Sequence, residues 1–211
     1  MKKKILKVSV LTLLITIGVY FIVWGAVMLC FPSKTAEFYS SIGSYKTACR
    51  LYEVSYKRKP TVDNLKTTLR YCAVTDNNKK LVRYGDILLA DDDFDQTYDA
   101  DDKDSVFYEE FVGWYVKAYY YTGHDDAVDK TLDLVIEERM EGNETTVYLP
   151  ERNGIDVLIV SCYHKKDVES LKKLEEKLNN FKVDYHDDEQ FCSTIDKELE
   201  GIALFVAELE K

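Results

Sequence analysis

Between Lys7 and Lys34 the chain runs for 26 residues without a charge, VSVLTLLITIGVYFIVWGAVMLCFPS. A helix needs about 20 such residues to cross the hydrocarbon core of a bilayer, where every backbone polar group must find its partner inside the segment. The run therefore predicts a transmembrane helix over residues 8–31. Lys2, Lys3, Lys4 and Lys7 precede it, and the first 31 residues hold no acid. A basic flank on that side predicts a cytoplasmic amino terminus and an exported carboxyl side. Tyr20, Phe21 and Trp24 fall in its second half, where aromatic rings favour the water–lipid interface. A cleaved signal peptide would have a shorter apolar core and small residues before the cut. Trp24 and Leu29 stand where those small residues are wanted, so the segment reads as a signal-anchor that is retained.

Past residue 31 the chain holds 24 basic and 38 acidic residues, a net charge of −14. Such a field repels nucleic acid phosphates and anionic lipid headgroups, and attracts basic peptides, basic proteins or cations. About 180 residues are enough to bury a core without metal or cross-links. With only 3 Pro and 9 Gly in 211 residues, helix breakers are scarce. An all-α domain over residues 33–211 is expected, joined through the transmembrane helix to a basic tail at 1–7. Cys49, Cys72, Cys162 and Cys192 are widely spaced and show no zinc or C-x-x-C pattern. A disulfide among them is open to an exported domain.

Apolar spacing of i, i+3, i+4, i+7 places the helices. A short one covers 33–42. Tyr45–Lys57 follows with Tyr45, Ala48, Leu51 and Tyr52 inward, and Pro60 stops it. Thr61 or Asp63 caps the next, with Leu65, Leu69 and Cys72 inward. Thr75-Asp76-Asn77-Asn78 is a turn, and 79–90 returns with Leu81, Tyr84 and Leu88 inward. Residues 91–104 form an acidic loop. Asp104 or Ser105 caps an aromatic helix closed by Gly123, and its partner spans 125–139 with Val128, Leu132, Val135 and Ile136 inward. Residues 141–154 read as loop. Ile155–Tyr163 suits strand or helix. The final helices cover 166–181, with Val168, Leu171, Leu174, Leu178 and Phe181 inward, and a stretch from about Asp188 with Phe191, Ile195, Leu199, Ile202 and Val206 inward.

Gly43-Ser44-Tyr45-x-x-Ala48-x-x-x-Tyr52, with Pro60 eight residues on, resembles the second half of a tetratricopeptide repeat. Gly43 permits a tight turn between antiparallel helices, Ala48 a close approach, Tyr52 fills the space between hairpins and Pro60 ends the unit. Tyr119-x-x-x-Gly123 is a weaker echo. The resemblance implies an array of antiparallel α-hairpins (TPR-like) that binds a peptide or protein. If its geometry holds, Glu110, Lys117, Tyr120 and Tyr121 face a concave partner-binding surface; otherwise the aromatics of 107–121 serve helix packing.

Asp91, Asp93, Asp95, Asp99 and Asp102 stand at positions 1, 3, 5, 9 and 12 of a calcium-loop spacing. Gln96 replaces the glycine that spacing needs, and Asp102 is shorter than the usual Glu. No nucleophile motif accompanies His124, His164 or His186, and no nucleotide- or cofactor-binding motif occurs. The expectation is therefore a non-enzymatic, membrane-anchored protein-interaction module without cofactor, working near the membrane surface, with a structural subunit docked in a larger membrane complex as the alternative. Retention of the anchor has a direct check: the mature protein should resist carbonate extraction and begin upstream of residue 27 by N-terminal sequencing.

Overall fold

The computed structural model describes residues 2–91, 94, 103–141, 144–148 and 152–211, with side chains from 11 onward except 103–106 and 137–153. The chain divides into two compact units, Met1–Thr75 and Asp76–Lys211, instead of a tether and one domain. The division falls inside the polar turn after residue 74. It also sorts the charge. Residues 32–75 carry eight basic and three acidic side chains, net +5, whereas 76–211 carry 16 basic and 35 acidic, net −19. The acidity expected of the whole extramembrane part thus belongs to the second unit alone.

Unit one holds helices α1 (Lys2–Cys30), α2 (Pro32–Ser41), α3 (Tyr45–Arg58) and α4 (Val62–Val74). Within α1, Leu11–Cys30 has mean hydropathy 2.4 and no buried share, and is long and apolar enough to cross a membrane. After a single non-helical residue, Phe31, helix α2 folds back alongside α1. The α2–α3 turn is closed by Gly43 at φ +76°. There Gly43 N–H donates to Ser40 O and Ser44 N–H to Tyr39 O, the Schellman arrangement that satisfies the last carbonyls of a helix. Only a residue without Cβ adopts that φ at no cost.

Ala48 is fully buried where α3 meets its neighbours. Tyr52 lies against Tyr71 of α4, ring centroids 4.5 Å apart, and the Tyr71 hydroxyl donates to Ser40 Oγ at 2.6 Å. Thr61 caps α4, its side chain accepting from Asn64 N–H. Leu65, Leu69 and Cys72 are buried as their spacing predicts. Tyr45 is a correction: it is exposed, and Cys49 takes the inward place beside Ala48. Tyr45 is the first residue of α3, so the face that buries Ala48 and Cys49 one turn later is left uncovered there.

Unit two holds α5 (Asn78–Leu89), α6 (Lys103–Tyr121), α7 (Ala127–Val135), strands β1 (Glu137–Glu141) and β2 (Glu144–Tyr148), and helices α8 (Arg152–Lys165), α9 (Val168–Asp184) and α10 (Glu189–Leu209). Consecutive helices pack on one another, and α8 also touches α6, α7 and α10. Apart from the hairpin, the described residues are all-α, ten helices that pack on their neighbours within each unit, compatible with a helical repeat. Helix α6 starts at Lys103, ahead of the caps expected at Asp104 or Ser105. Helix α7 stops at Val135, short of 139, and the expected loop 141–154 instead contributes β2 and the start of α8. Strands β1 and β2 pair antiparallel, Glu137 opposite Tyr148 and Glu141 opposite Glu144. Thr145-Thr146-Val147-Tyr148 is rich in strand-forming β-branched and aromatic residues.

The segment open to strand or helix, Ile155–Tyr163, is helix α8. Its apolar residues serve more than one face, with Ile155, Leu158 and Cys162 fully buried and Ser161 nearly so. Gly154 makes its approach fit: a Cβ there would stand 2.6 Å from Val135 Cγ1 and 3.0 Å from Val112 Cγ1. Gly85 does the same on α5, where a Cβ would stand 2.4 Å from the Tyr115 ring. In α10, Glu198 is buried and Leu199 half-buried, one residue off the assigned face.

Gly85→Ala should destabilise by about 1–3 kcal/mol, because the fully buried Tyr115 has nowhere to move. Lys166, at φ +56°, ends α8 in the left-handed region, so Lys166→Gly should stabilise by about 0.5–1 kcal/mol. Urea unfolding of the full chain in detergent, followed by circular dichroism, checks both signs.

Candidate functional site: a polar groove between two helix turns

The aromatic helix α6 packs most of its rings inward. Phe107, Tyr108, Phe111, Tyr115 and Tyr120 are buried. Phe94 meets Phe107, Tyr108 and Phe111 with centroids 6.0–6.4 Å apart. The hydroxyls that go in with them find acceptors. Tyr115 donates to Asp86 Oδ1 at 2.5 Å and Tyr108 to Leu134 O at 3.2 Å. Burial, then the Asp86 carboxylate, pushes the Tyr115 hydroxyl well above its ordinary pKa.

Of the four residues expected on a partner-binding surface, Glu110, Lys117 and Tyr121 are exposed and recur at i, i+7 and i+11, one stripe along α6. Lys117 Nζ lies 3.4 Å from Asp76 Oδ1. Tyr120 is a correction. It is 6% exposed, and its hydroxyl donates to Asp167 Oδ2 at 2.8 Å. It stands one residue from the exposed stripe, and a 100° step turns it into the core.

Tyr120 leads instead to a groove of about 420 Å³ at the ends of α6 and α8. Two turns form it. One is Gly123-His124-Asp125, with Gly123 at φ +84°. The other is Lys165-Lys166-Asp167, where Asp167 N–H donates to Cys162 O. Asp167 is the hinge of the groove. One of its carboxylate oxygens accepts from Ser170 N–H at 3.0 Å, capping α9, and the other from the Ser170 and Tyr120 hydroxyls at 2.8 Å each. Its partial burial raises the pKa, but these hydrogen bonds and Lys165 outweigh burial and hold it below the carboxylate norm.

Lys165 Nζ sits 4.5 Å over the Tyr120 ring and 4.8 Å over the Tyr121 ring, within cation–π range of both. Farther along, Asp129 lies between Lys173, at 2.8 Å, and Lys177, at 2.6 Å. Hydrogen bonds from those two ammonium groups hold its carboxyl below the usual range. His124 stacks on Tyr119 with centroids 3.9 Å apart, and the Tyr119 hydroxyl reaches Asp126. The groove thus presents both signs of charge beside aromatic edges, with Asp167 held by Tyr120 and Ser170 and Lys173 paired with Asp129. Cys162 is buried beneath it, and burial pushes its thiol up to about 11.

Sequence reasoning gave Lys165, Asp167 and His124 no part in a site. The chain separates the two turns by some 40 positions, and nothing local to either indicates that they meet. Of the calcium-loop residues, Asp93, Asp95, Asp99 and Asp102 lie outside the described residues. Asp91 ends α5, its N–H donating to Leu88 O. Among the described residues no group of three or more His, Cys, Asp or Glu is placed to hold a metal ion. Cys49 and Cys72 come together in unit one, sulfurs 3.8 Å apart. Cys192 Sγ lies near Tyr185 O, at 3.5 Å.

Compared with known proteins, no family model, no curated protein sequence and no solved structure matches the chain.

The depressed pKa values of Asp129 and Asp167 fix the sign of an acid effect. A carboxyl with a lower pKa folded than unfolded stabilises the fold above its unfolded value, and that stability is lost as pH falls through the folded one. Thermal stability should therefore drop below about pH 4, and the double variant Asp129→Asn, Asp167→Asn should show a flatter acid limb from a lower plateau. Melting temperatures across pH 2–7 check this.

Proposed function

We propose that the protein is a membrane-anchored interaction module whose acidic second unit binds a basic peptide or protein segment close to the bilayer. The division of charge carries the reading. A unit at net −19 attracts cationic partners over a Debye length of about 8–10 Å and repels phosphate polymers. The exposed Glu110–Lys117–Tyr121 stripe supplies a carboxylate and an aromatic face of the kind that hold a basic, partly apolar segment. The groove beside it adds Asp125 and Glu169.

The array is proposed to be of the tetratricopeptide type. Supporting this, four of the signature residues do the job that motif requires, whereas Tyr45 is exposed: Gly43 turns the chain, Ala48 lets helices approach, Tyr52 meets α4, and Pro60 precedes it. Gly123 repeats the turn in unit two. The anchor is proposed to leave the basic amino terminus in the cytoplasm and the remainder outside, since the only charges flanking the span on its amino side are lysines. The module is read as non-enzymatic, because no nucleophile motif accompanies His124, His164 or His186 in the sequence. A permanent structural subunit is the second reading. It is favoured by apolar side chains left on the surface of unit two, Leu204 at 72% and Val183 at 71% exposure.

The full chain in neutral phosphatidylcholine vesicles should capture a lysine-rich peptide, with affinity falling about tenfold between 50 and 500 mM NaCl. Glu110→Lys with Tyr121→Ala should weaken capture without changing helicity. Salt-independent binding, or none at 50 mM, would sink the recruitment reading. Self-association of the full chain at low concentration would favour the structural one.

A further inference from the structure

Helix α2 is joined to α1 in a way that sets its depth relative to a bilayer. Phe31 is the pivot, and residues equally far on either side of it come together. Trp24 Nε1 donates to the Tyr39 hydroxyl at 3.1 Å, and the Trp24 and Phe38 rings meet edge to face at 5.8 Å. The α2 chain therefore runs back along the last two turns of the span. At 1.5 Å per residue, about 20 residues starting at Val8 reach the far side of a core about 30 Å thick near Val27. Trp24 then lies roughly 5 Å inside that boundary, and Phe38 and Tyr39 lie at its level.

The outward face of this segment suits that depth. Phe31 stands just before α2, Phe38 within it and Ile42 at its C-cap. They are 62%, 48% and 60% exposed. The two charges of α2, Lys34 and Glu37, pair with each other at 3.0 Å. A charged group closes the arrangement where the span ends: the Arg58 guanidinium donates to Leu29 O. That carbonyl belongs to the last turn of α1, where helical partners run out. An arginine there stands at headgroup depth, where its remaining N–H donors suit lipid phosphate. The net +5 of residues 32–75 favours the same surface.

We propose that α2 sits at the membrane interface against the span: Phe31 lies at the headgroup–acyl boundary of the leaflet in which the span ends, Phe38 and Ile42 face the outermost acyl segments inside it, and Arg58 lies among its phosphates. The occupant of this apolar face is lipid. Unit one then rides in the membrane surface as a wedge, held by α1 and α2 together.

The inference rests on α1 being a membrane span, and the test separates the two. The full chain is reconstituted in phosphatidylcholine–phosphatidylglycerol vesicles containing a bilayer-dissolved aryl diazirine. After photolysis the labelled residues are mapped by mass spectrometry. The expected result is label through 8–28 and also on Phe31, Phe38 and Ile42. The double variant Phe38→Glu, Ile42→Glu should lower labelling of residues 31–45 at least about fivefold, with labelling of 8–28 unchanged. Label confined to the span would overturn the interfacial helix and leave the span standing. No label anywhere in 8–42 would remove both. Loss of label at 31–42 with crosslinked dimers would assign the face to a second copy and also overturn the proposal.

Discussion

The end of helix α1 is the constraint on which the first unit depends. A helix leaving a bilayer has terminal carbonyls without helical partners, and in or near hydrocarbon such groups are costly. Here they are met from within the unit. Phe31 N–H continues the ladder to Val27 O, Arg58 reaches across from the far end of α3 to Leu29 O, and Thr35 donates to Phe31 O through both its backbone and its hydroxyl. The chain can therefore break helix at one residue and turn back at once. The Trp24–Tyr39 hydrogen bond then holds α2 against α1. A helix joined this way is the first helix of the unit, not a leash attached to it.

The second unit depends on aromatic packing made possible by small residues. Helix α6 has more large rings than one face accommodates, so its neighbours leave room for them. Gly85 on α5 yields to Tyr115, and Gly154 on α8 yields to Val112 and Val135. Each buried tyrosine then finds an acceptor on another element, Asp86, Leu134 O or Asp167. Burying an unpartnered hydroxyl would cost about 1–3 kcal/mol, so the acceptors are as much a part of the core as the rings. Asp167 shows the economy of this. One carboxylate caps α9, receives Tyr120 and fixes the turn that forms one wall of the groove.

Much of the helical plan was legible locally. Gly43, Pro60, Thr61 and Gly123 mark boundaries where the structure has them, because caps and breakers act over a few residues of backbone. Leu65, Leu69, Leu171, Leu174 and Leu178 are buried on the expected faces, at the centre of one apolar stripe on each helix. The misreadings fall at stripe edges and helix ends. Tyr120 lies one residue from an exposed stripe, Leu199 one residue from buried Glu198, and Tyr45 at the first position of α3, where periodicity does not say how far the neighbours cover. The β1–β2 hairpin was missed because glutamates at its start read equally as helix end or loop. The groove was invisible because its two walls come from turns far apart in sequence.

From the sequence alone came the apolar stretch, the helical character, the repeat-like turn at Gly43 and the net acidity past that stretch, because charge and local backbone preference are carried by the residues themselves. The tertiary structure alone decided that α2 folds back onto Trp24, that Arg58 meets the end of the span, that Ile155–Tyr163 is helix and that Tyr120 belongs to the core. Each depends on which surfaces meet, and packing of side chains from distant segments settles that where local preference leaves it open.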